Sequence, residues 1–436
     1  MREASLIHIR LLLLIPTRLF PNDIVTLLVG GACAFVLAFV FTFFVKAFCF
    51  KVGWLDYPAP RRVHKWPVPR LGGIAMFLAF VVASLLFYAP GVNSNPTEIS
   101  IYWLLLAASA LMVMVHAYDD VKGLKPATKL IAQTIAVIIV IGPWIPTFRG
   151  VLLYTFSNPF YHFHIPWLHE PNIYLFMQHA DFSFVAIPAV LLTWFWIVGM
   201  MNTVNLIDGL DGLATGVVGI TALFITIISF LLGQQSIAIL SAVFTGAVFG
   251  FLPHNWNPAK IFMGDSGSMF LGLGLAVLSI MGGAKLALAL MVLGIPILDL
   301  AVVAINRIRR GQSPLHYDTT HLHYRMKATG LSVKQICLLF YGLTIMFGLL
   351  ALRLDRIFKF IGLGLVGLTM LGLILWVDQR LRQRGLPIRP GGPPPELTPG
   401  GGEKMSTEDM ACNGRSDAPD PGSKVHATVT PPLTGS

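Results

Sequence analysis

The sequence has 436 residues, of which 55% are hydrophobic and only 12% are charged, and its formal net charge is +10. Soluble globular proteins carry about 25% charged residues, so this composition excludes an ordinary soluble domain. The apolar residues fall into runs of roughly 20, the length that crosses a bilayer core. We therefore predict an all-α polytopic membrane protein. The positive charge does not indicate nucleic-acid binding, because it lies in short loops between the apolar runs.

The chain is predicted to divide into three parts. Residues 1–23 are interpreted as an interfacial lead-in, because arginines flank a short apolar run and no clear small-residue cleavage site is present. Residues 24–383 form the membrane domain, and the Pro-, Gly- and Ser-rich residues 384–436 are predicted to be a disordered cytoplasmic tail. About eleven transmembrane helices are predicted, at 24–50, 71–90, 101–118, 128–148, 183–200, 213–232, 236–252, 266–283, 285–306, 334–352 and 356–377.

The loops at the two ends of these helices differ in charge. One set holds most of the lysine and arginine residues, and the positive-inside rule makes it cytoplasmic. The N-terminus is then outside and the C-terminus cytoplasmic. In the external segment 149–182, aromatic and polar residues alternate, which predicts a small β-hairpin; a metal site at its three histidines is the alternative. The four cysteines have neither zinc-site nor disulfide spacing.

Acidic residues recur at the cytoplasmic ends of the spans. Asp119 and Asp120 end the third span, where adjacent carboxylates beside the hydrocarbon core need a cation to neutralise them. Asp265 lies among small residues just before another span, where a helix N-terminus would favour a phosphate. The alternatives are a solvated helix end for the aspartate pair and simple helix capping around Asp265.

The segment 202–212 combines oxygen-bearing side chains with two glycines. Asn202, Asn205, Asp208 and Asp211 recur every third residue, and such positions share one helix face. Because glycines interrupt the pattern, it predicts a helix end that breaks into a loop, with a row of oxygen ligands along one side. Carboxylate and amide oxygens suit a hard cation such as Mg²⁺, whereas EF-hand spacing is absent.

Cationic residues are predicted to face these acids from two loops. The first loop contains Lys65 and the sequence Val-Pro-Arg-Leu-Gly-Gly, in which the prolines keep the chain extended. The loop 307–333 contains Arg307, His321, His323 and Arg325. A zinc site at the histidines lacks further ligands, whereas histidine and arginine beside a Mg²⁺–phosphate site fit better. Both loops are therefore predicted to hold substrate phosphates; topology signals or anionic-lipid binding are the alternatives.

Five motifs, in chain order, closely resemble those of the polyprenyl-phosphate N-acetylhexosamine-1-phosphate transferases. They lie between about residues 50 and 330 and read Pro-Arg-Leu-Gly-Gly, Asp-Asp, Asn-Leu-Ile-Asp-Gly-Leu-Asp-Gly, Gly-Asp-Ser-Gly-Ser and His-Leu-His. The resemblance implies transfer of a sugar 1-phosphate from a UDP-sugar to a polyprenyl phosphate, with release of UMP and with Mg²⁺ or Mn²⁺ as cofactor. It also implies a bacterial inner-membrane protein with its site on the cytoplasmic side. A homodimer is a family-level expectation.

Two of these motifs favour one branch of that superfamily. His-Leu-His and Val-Pro-Arg-Leu-Gly-Gly resemble the UDP-GlcNAc:undecaprenyl-phosphate GlcNAc-1-phosphate transferases. The phospho-MurNAc-pentapeptide transferases, which tend to show three consecutive histidines, are the alternative. The implied substrates are UDP-N-acetylglucosamine and undecaprenyl phosphate, in contact with membrane lipid, and the implied product starts a lipid-linked cell-envelope glycan.

The motifs and the resemblance together predict the site. The predicted catalytic residues are Asp119, Asp120, Asp208, Asp211, His321 and His323. Substrate binding is predicted for Lys65, Asn202, Asn205, Arg307 and Arg325. The predicted metal ligands are Asp265, Asp208, Asp211 and Asp120.

Two other classes of protein are open at this point. A transporter or lipid flippase would place ionisable residues near the bilayer midplane, where Asp299 is the main case, either as a partner of Arg307 or as a substrate contact. A scaffold or lipid-binding membrane protein would not need five aspartates in ordered motifs. For the transferase, direct attack by the lipid phosphate is favoured over a covalent aspartyl intermediate, because a phosphate is already anionic and needs little activation.

Overall fold

A computed structural model describes residues 23–57, 67–88, 96–143, 149–157, 172–174, 187–281, 286–309, 311, 321–354 and 358–385. Nearly all of the predicted lead-in and tail, together with Lys65 and the histidines of the external segment, therefore lie outside the described residues.

The described residues form helices joined by short turns, with two pairs of very short strands. In chain order the elements are α1 Asp23–Val52, β1 Leu55–Asp56, β2 Val68–Pro69, α2 Gly72–Phe87, α3 Pro96–Lys122, α4 Pro126–Ile141, β3 Thr155–Ser157, β4 Asn172–Tyr174, α5 Ile187–Ile207, α6 Leu213–Leu231, α7 Gln235–Asn255, α8 Gly264–Ile280, α9 Leu286–Val292, α10 Gly294–Ile308, α11 Leu322–Ala328, α12 Val333–Arg353 and α13 Phe358–Gln383.

The helices confirm a multi-pass membrane protein but not the predicted number of spans. Among the described residues, 7 helices are long and apolar enough to cross a membrane, or up to 8 if α9 and α10 count as one broken span. Helices α2, α4 and α8 are apolar but have only 16 or 17 residues. Such helices extend about 25 Å, less than the roughly 30 Å of a bilayer core. Eleven spans, and their orientation, therefore stay predictions.

One predicted span is not a continuous helix. The run predicted at 285–306 breaks between Val292 and Gly294, where α9 and α10 meet at an angle of 74°. Hydropathy does not detect this break, because the residues around it are as apolar as those on either side. Because of this bend, α10 runs in a different direction from α9 toward the site described below.

Helices α6, α7 and α8 form the interior of the bundle. Nearly every residue of α8 is buried, and its Phe270 packs against Phe80 of α2 and Phe244 of α7 with ring centroids 5.7 Å and 5.6 Å away. Helices α1 and α13 lie at the periphery and expose apolar side chains such as Phe44 and Leu368. Apolar exposure of this kind is expected where a helix contacts lipid, since lipid tails are themselves apolar.

Small residues let α1 and α7 approach closely. A Cβ built on Gly246 of α7 would lie 2.0 Å from the carbonyl oxygen of Gly31, and one on Gly250 would lie 2.2 Å from that of Phe35. Two glycines four residues apart thus permit backbone contact along this crossing, as in other membrane helix pairs with small residues at that spacing.

Two antiparallel strand pairs connect the helices at opposite ends of the bundle. Strand β1 pairs with β2, with Asp56 opposite Val68, just before α2 begins. Strand β3 pairs with β4 within the segment 149–182, with Phe156 opposite Ile173. Residues 158–171 between β3 and β4 lie outside the described residues, so the predicted hairpin is not tested beyond this pairing.

The α1–α7 crossing generates a stability prediction. We expect Gly246→Ala to lower stability by about 1–3 kcal/mol, because a rigid backbone oxygen occupies the position of the new methyl group. Gly364→Ala on α13 is the matched control, since nothing lies within 4 Å of a Cβ at that glycine. Thermal unfolding in detergent, followed by tryptophan fluorescence at one scan rate, measures both. Equal midpoints for the two variants would contradict the packing interpretation.

Candidate active site

Two of the sequence motifs lie side by side along their backbones. The amides of Gly72 and Gly73 donate to the carbonyl oxygens of Phe262 and Met263, each at 3.0 Å. A Cβ on Gly73 would lie only 2.2 Å from the backbone nitrogen of Gly267. The two glycines at the start of α2 are therefore required for its close crossing with α8, and this crossing brings the first and fourth motifs to the same end of the bundle.

Asp120 holds the N-terminus of α8. Its carboxylate accepts hydrogen bonds from the amide of Asp265 at 2.8 Å, the amide of Ser266 at 3.1 Å and the hydroxyl of Ser266 at 2.9 Å. Gly264 has a φ of +73°, and a Cβ there would collide with the carboxylate of Asp120. A carboxylate at this position satisfies free amides and complements the helix dipole. Both oxygens of Asp120 are thus engaged in anchoring the helix that carries Asp265.

Lys129, at the start of α4, bridges two carboxylates from different helices. Its Nζ lies 2.5 Å from Oδ2 of Asp119 and 2.7 Å from Oδ2 of Asp265. The other oxygen of Asp265 accepts a hydrogen bond of 3.0 Å from Nδ2 of Asn205, and the other oxygen of Asp119 accepts one of 2.6 Å from the amide of Leu124. The sequence motifs did not include Lys129; its only signal was a single lysine in the first turn of an apolar helix that follows the aspartate pair.

Asp208 differs from the other acids because its carboxylate has no hydrogen-bond or ion-pair partner among the described residues. Helix α5 ends at Ile207, as the interrupted pattern predicted, and Asp208 opens the following turn. Burial raises the pKa of Asp208 well above its usual range, and the nearby carboxylates of Asp265 and Asp120 raise it further, while Arg70 opposes them. Asp208 is therefore the carboxylate available for a ligand.

The other polar side chains of the segment 202–212 turn to separate partners. Asp211 accepts hydrogen bonds from Nδ2 of Asn257 at 2.8 Å and from the amide of Ala259 at 3.1 Å, so its carboxylate fixes the loop after α7. Asn202 donates to Gln133 at 3.1 Å and to the carbonyl of Val198 at 2.8 Å, inside the bundle. Residues that share the three-residue spacing thus do not form one row of ligands, because each reaches a different neighbouring element.

The histidine motif packs against this turn. Nδ1 of His321 is hydrogen-bonded to the carboxylate of Asp299 at 3.0 Å, and Asp299 also accepts from the amide of Leu322 at 3.1 Å. Asp299 therefore orients His321 and supports the start of α11. The rings of His321 and His323 are stacked, with centroids 6.0 Å apart. A Cβ on Gly209 would lie 2.5 Å from Nε2 of His323, so this glycine lets the turn after Asp208 contact the ring.

His323 is buried, and its Nε2 has no hydrogen-bond partner in the described structure. Burial lowers the pKa of His323 to about 4, so the ring is neutral at physiological pH. A neutral imidazole offers one N–H and one acceptor nitrogen rather than a positive charge. The orphan nitrogen beside the Asp208 turn is thus suited to a hydrogen bond with a ligand.

The remaining predicted cations are placed differently. Arg325 forms an ion pair with Asp378 of α13, and Arg307 is buried near the end of α10. Two basic residues that were not among the predicted site residues interact electrostatically with its acids. Arg70 interacts with Asp208, and Lys327 interacts with Asp211. Burial lowers the pKa of Lys327. Their roles were not visible in the sequence, because basic residues in membrane-protein loops also serve topology.

No group of three or more His, Cys, Asp or Glu side chains in the described part of the chain is arranged to hold a metal ion. The donor chemistry nonetheless fits a hard cation. The carboxylate of Asp208, without a partner in the described residues, is close enough to that of Asp265 for their charges to interact, and Asn205 beside Asp265 carries an amide oxygen. Mg²⁺ is commonly bound by one or two carboxylates together with substrate phosphates and water, rather than by a closed protein cage. The site is therefore compatible with an ion that arrives with its diphosphate.

A helical bundle with apolar helices and charged groups gathered at one end is compatible with a membrane-embedded enzyme, and comparison with known proteins shows that class. The model of glycosyl transferase family 4 matches residues 102–283. A Bacillus subtilis protein named "Probable undecaprenyl-phosphate N-acetylglucosaminyl 1-phosphate transferase" is 31% identical over 338 residues, which cover 76% of this chain and 85% of the relative. The decaprenyl-phosphate N-acetylglucosaminephosphotransferase of Mycobacterium tuberculosis (strain H37Rv) is 33% identical over 71% of this chain and 78% of its own length.

A phospho-N-acetylmuramoyl-pentapeptide-transferase of Staphylococcus aureus is 31% identical over 66% of this chain and 86% of its own length. The chain belongs to glycosyl transferase family 4, in the superfamily of polyprenyl-phosphate N-acetylhexosamine-1-phosphate transferases. The predicted resemblance is thereby confirmed, and the transporter and scaffold alternatives are set aside. Members of this family are generally dependent on a divalent metal.

The different surroundings of Asp120 and Asp208 generate a prediction. We expect Asp120→Asn to lower stability by about 1–2 kcal/mol, because one amide oxygen cannot replace a charged carboxylate that accepts three hydrogen bonds. Asp208→Asn should keep or raise stability, since it removes an unpaired charge close to other carboxylates. Thermal unfolding at pH 8 with EDTA present measures both variants. The interpretation is wrong if Asp208→Asn lowers the midpoint as much as Asp120→Asn.

Proposed function

We propose that this protein transfers N-acetylglucosamine 1-phosphate from UDP-N-acetylglucosamine to undecaprenyl phosphate and releases UMP. The product would be the first lipid-linked intermediate of a cell-envelope glycan. The observation that carries the proposal is the acidic cluster in which Lys129 bridges Asp119 and Asp265 and the nearby Asp208 has no partner among the described residues. The chain is also similar along most of its length to N-acetylglucosamine-phosphate transferases.

Charge repulsion is the main obstacle to this reaction. An anionic oxygen of the lipid phosphate must approach the β-phosphorus of a negatively charged UDP-sugar, and the bond from that phosphorus to the UMP oxygen breaks. Phosphoryl transfer is accelerated chiefly by positioning and by neutralisation of charge. Lys129, Arg70 and Lys327 supply fixed positive charge around the acids.

A bound Mg²⁺, or Mn²⁺, would supply the remaining positive charge. Asp208 and Asp265 would hold it, and Asn205 would keep the Asp265 carboxylate in place through its hydrogen bond. Lys129 pairs with both Asp119 and Asp265, so it is placed to contact a substrate phosphate that binds at this cluster. We assign Asp120 and Asp211 to positioning, because backbone amides of α8 and of the loop after α7 donate to their carboxylates, whereas Asp265 accepts from the side chains of Lys129 and Asn205.

The lipid phosphate requires no covalent intermediate in this proposal. Asp119 lies beside Lys129 and is suited to orienting the lipid phosphate through that lysine. His323, neutral at physiological pH, is suited to a hydrogen bond with a phosphate oxygen or with the nucleotide, and His321 is oriented by Asp299. Direct attack is favoured because the nucleophile is already anionic. Trapping a phosphorylated aspartate would overturn this preference.

The membrane setting fits the two substrates. A lipid phosphate reaches a site at the end of a helical bundle from the membrane, and a UDP-sugar reaches it from the aqueous phase. Since UDP-sugars are cytoplasmic, we place this end of the bundle at the cytoplasmic face of the bacterial inner membrane. Lys65 and Arg307 stay candidates for phosphate contacts, and the homodimer stays an expectation from the family.

A second candidate substrate is UDP-MurNAc-pentapeptide. The observation that favours it is the 31% identity to the Staphylococcus aureus transferase, which is nearly the same as that to the Bacillus subtilis relative. The histidine motif, with two histidines rather than three, favours UDP-N-acetylglucosamine.

A turnover assay distinguishes these substrates. Purified protein in detergent, supplied with undecaprenyl phosphate and Mg²⁺, should release UMP from UDP-N-acetylglucosamine and form a lipid-linked sugar phosphate. UDP-MurNAc-pentapeptide and UDP-glucose are tested in parallel. Turnover of the pentapeptide substrate alone would move the protein to the second candidate, and transport without UMP release would exclude a transferase.

Substitutions at the acidic cluster test its role. We expect Asp265→Asn and Asp208→Asn each to reduce turnover by roughly 100-fold or more, because each removes charge that positions the diphosphate. We also expect Asp120→Asn to lose UMP release, because the start of α8, which carries Asp265, would be displaced. Asp23→Asn, at the far end of α1, is the matched control for the same chemical change and should retain activity. Mg²⁺-dependent turnover at the wild-type rate in both Asp265→Asn and Asp120→Asn would refute the assignment.

A further inference from the structure

Helix α12 contains none of the five motifs, yet two of its side chains hold the turn that follows Asp208. The hydroxyl of Tyr341 donates a hydrogen bond of 2.5 Å to the carbonyl oxygen of Gly212. One turn earlier, the thiol of Cys337 donates to the carbonyl oxygen of Asp211 at 3.4 Å. The last two carbonyls of the segment 208–212 thus both point at α12.

Gly212 is held from both sides. Its amide donates to Oδ1 of Asn255 in α7 at 3.1 Å, while its carbonyl accepts from Tyr341. Gly212 has a φ of +82°, a left-handed conformation in which a glycine avoids strain, and it starts α6. The direction in which the chain leaves Asp208 and Asp211 is therefore fixed by contacts with two helices that are distant in sequence.

The ring of Tyr341 also packs closely against its neighbours in the bundle. A Cβ on Gly216, one turn into α6, would lie 1.9 Å from Cζ and 2.1 Å from the hydroxyl oxygen of Tyr341. Trp256 also packs near Tyr341, with its ring centroid 6.1 Å from that of Tyr341. The absence of a side chain at Gly216 thus leaves the space in which the Tyr341 ring and its hydroxyl lie, next to the carbonyl of Gly212.

We propose that Tyr341 is a positioning residue for the active site, which acts through the Gly212 carbonyl to hold Asp208 where the diphosphate binds. The inference rests on the proposed function for its catalytic consequence. It goes beyond that function, because it assigns a role in the reaction to a helix outside the motifs. Asp208 has no side-chain partner of its own among the described residues, so the backbone of its turn is what determines its position.

The test removes the hydrogen bond in two independent ways. Tyr341→Phe keeps the ring and deletes the hydroxyl, and Gly216→Ala displaces the ring and keeps the hydroxyl. We expect each to lower kcat roughly tenfold, with the KM for undecaprenyl phosphate changed less than twofold, because misplacement of a positioned group affects the reacting geometry more than remote binding. The double variant should be about as slow as the slower single variant, since both remove one interaction.

Tyr102→Phe is the matched control. The Tyr102 hydroxyl lies 3.0 Å from that of Ser84, near the other end of α2 and α3, so this variant should keep the wild-type kcat. Wild-type kinetics for Tyr341→Phe would overturn the proposal, because the ring would then matter only for packing. Equal losses in Tyr341→Phe and Tyr102→Phe would also overturn it, since a general loss of stability would explain both.

A measurement without substrate separates this inference from the proposed function. Hydrogen exchange of the amides in residues 208–213 should be at least roughly tenfold faster in Tyr341→Phe than in wild type, while exchange in α8 is unchanged. Faster exchange in a protein that turns over no UDP-sugar would leave the positioning contact intact and refute only the proposed function. Unchanged exchange would refute the positioning role whatever the activity.

Discussion

The hydrogen bonds from the first turn of α8 to the carboxylate of Asp120 are the contact on which the site depends. Helix α8 is the most buried element of the bundle, and its N-terminus lies between α2 and α3. The bare backbone of Gly73 permits the crossing with α2, and Gly264 leaves space for the carboxylate. With α8 fixed in this way, Asp265 faces Lys129 and Asn205. The capping of α8 by Asp120 thus determines the position of Asp265 and of the groups that contact it.

The balance of charge at this end of the bundle explains why the acids have different roles. Asp119 and Asp265 share one lysine, and Asp120 and Asp211 accept hydrogen bonds from backbone and amide groups. Among these five acids, Asp208 is the one whose carboxylate has no partner in the part of the chain that the structure describes. Buried carboxylates are tolerated where charges or donors satisfy them. Asp208 is partly buried, and its pKa is raised by burial and by the neighbouring carboxylates of Asp265 and Asp120, so a cation that accompanies a diphosphate would offset this repulsion.

The elements that hold the site extend well beyond the motifs that define it. Asp299 orients His321, Asn257 contacts Asp211, and Tyr341 contacts Gly212. These residues lie on α10, on the loop after α7 and on α12. In this protein the motif residues therefore supply the chemical groups of the site, and residues outside the motifs hold those groups in position. Such support is common where catalytic groups must be held to within a fraction of an ångström.

Hydropathy by itself located the apolar segments, because the roughly 20-residue length of a membrane span is a local property of the chain. The motifs placed the aspartates at one end of the helices and identified the family, since residue types and their order are visible without coordinates. The broken helix at Val292–Gly294 and the shortness of α2, α4 and α8 were not visible, because apolar character does not report where a helix bends or ends. Only the tertiary structure separated the capping Asp120 from Asp208, whose carboxylate has no partner among the described residues, introduced Lys129 and paired Arg325 with Asp378. The physical reason is that the state of a charged side chain depends on partners more than 50 residues away, here 136 residues for Lys129 and Asp265.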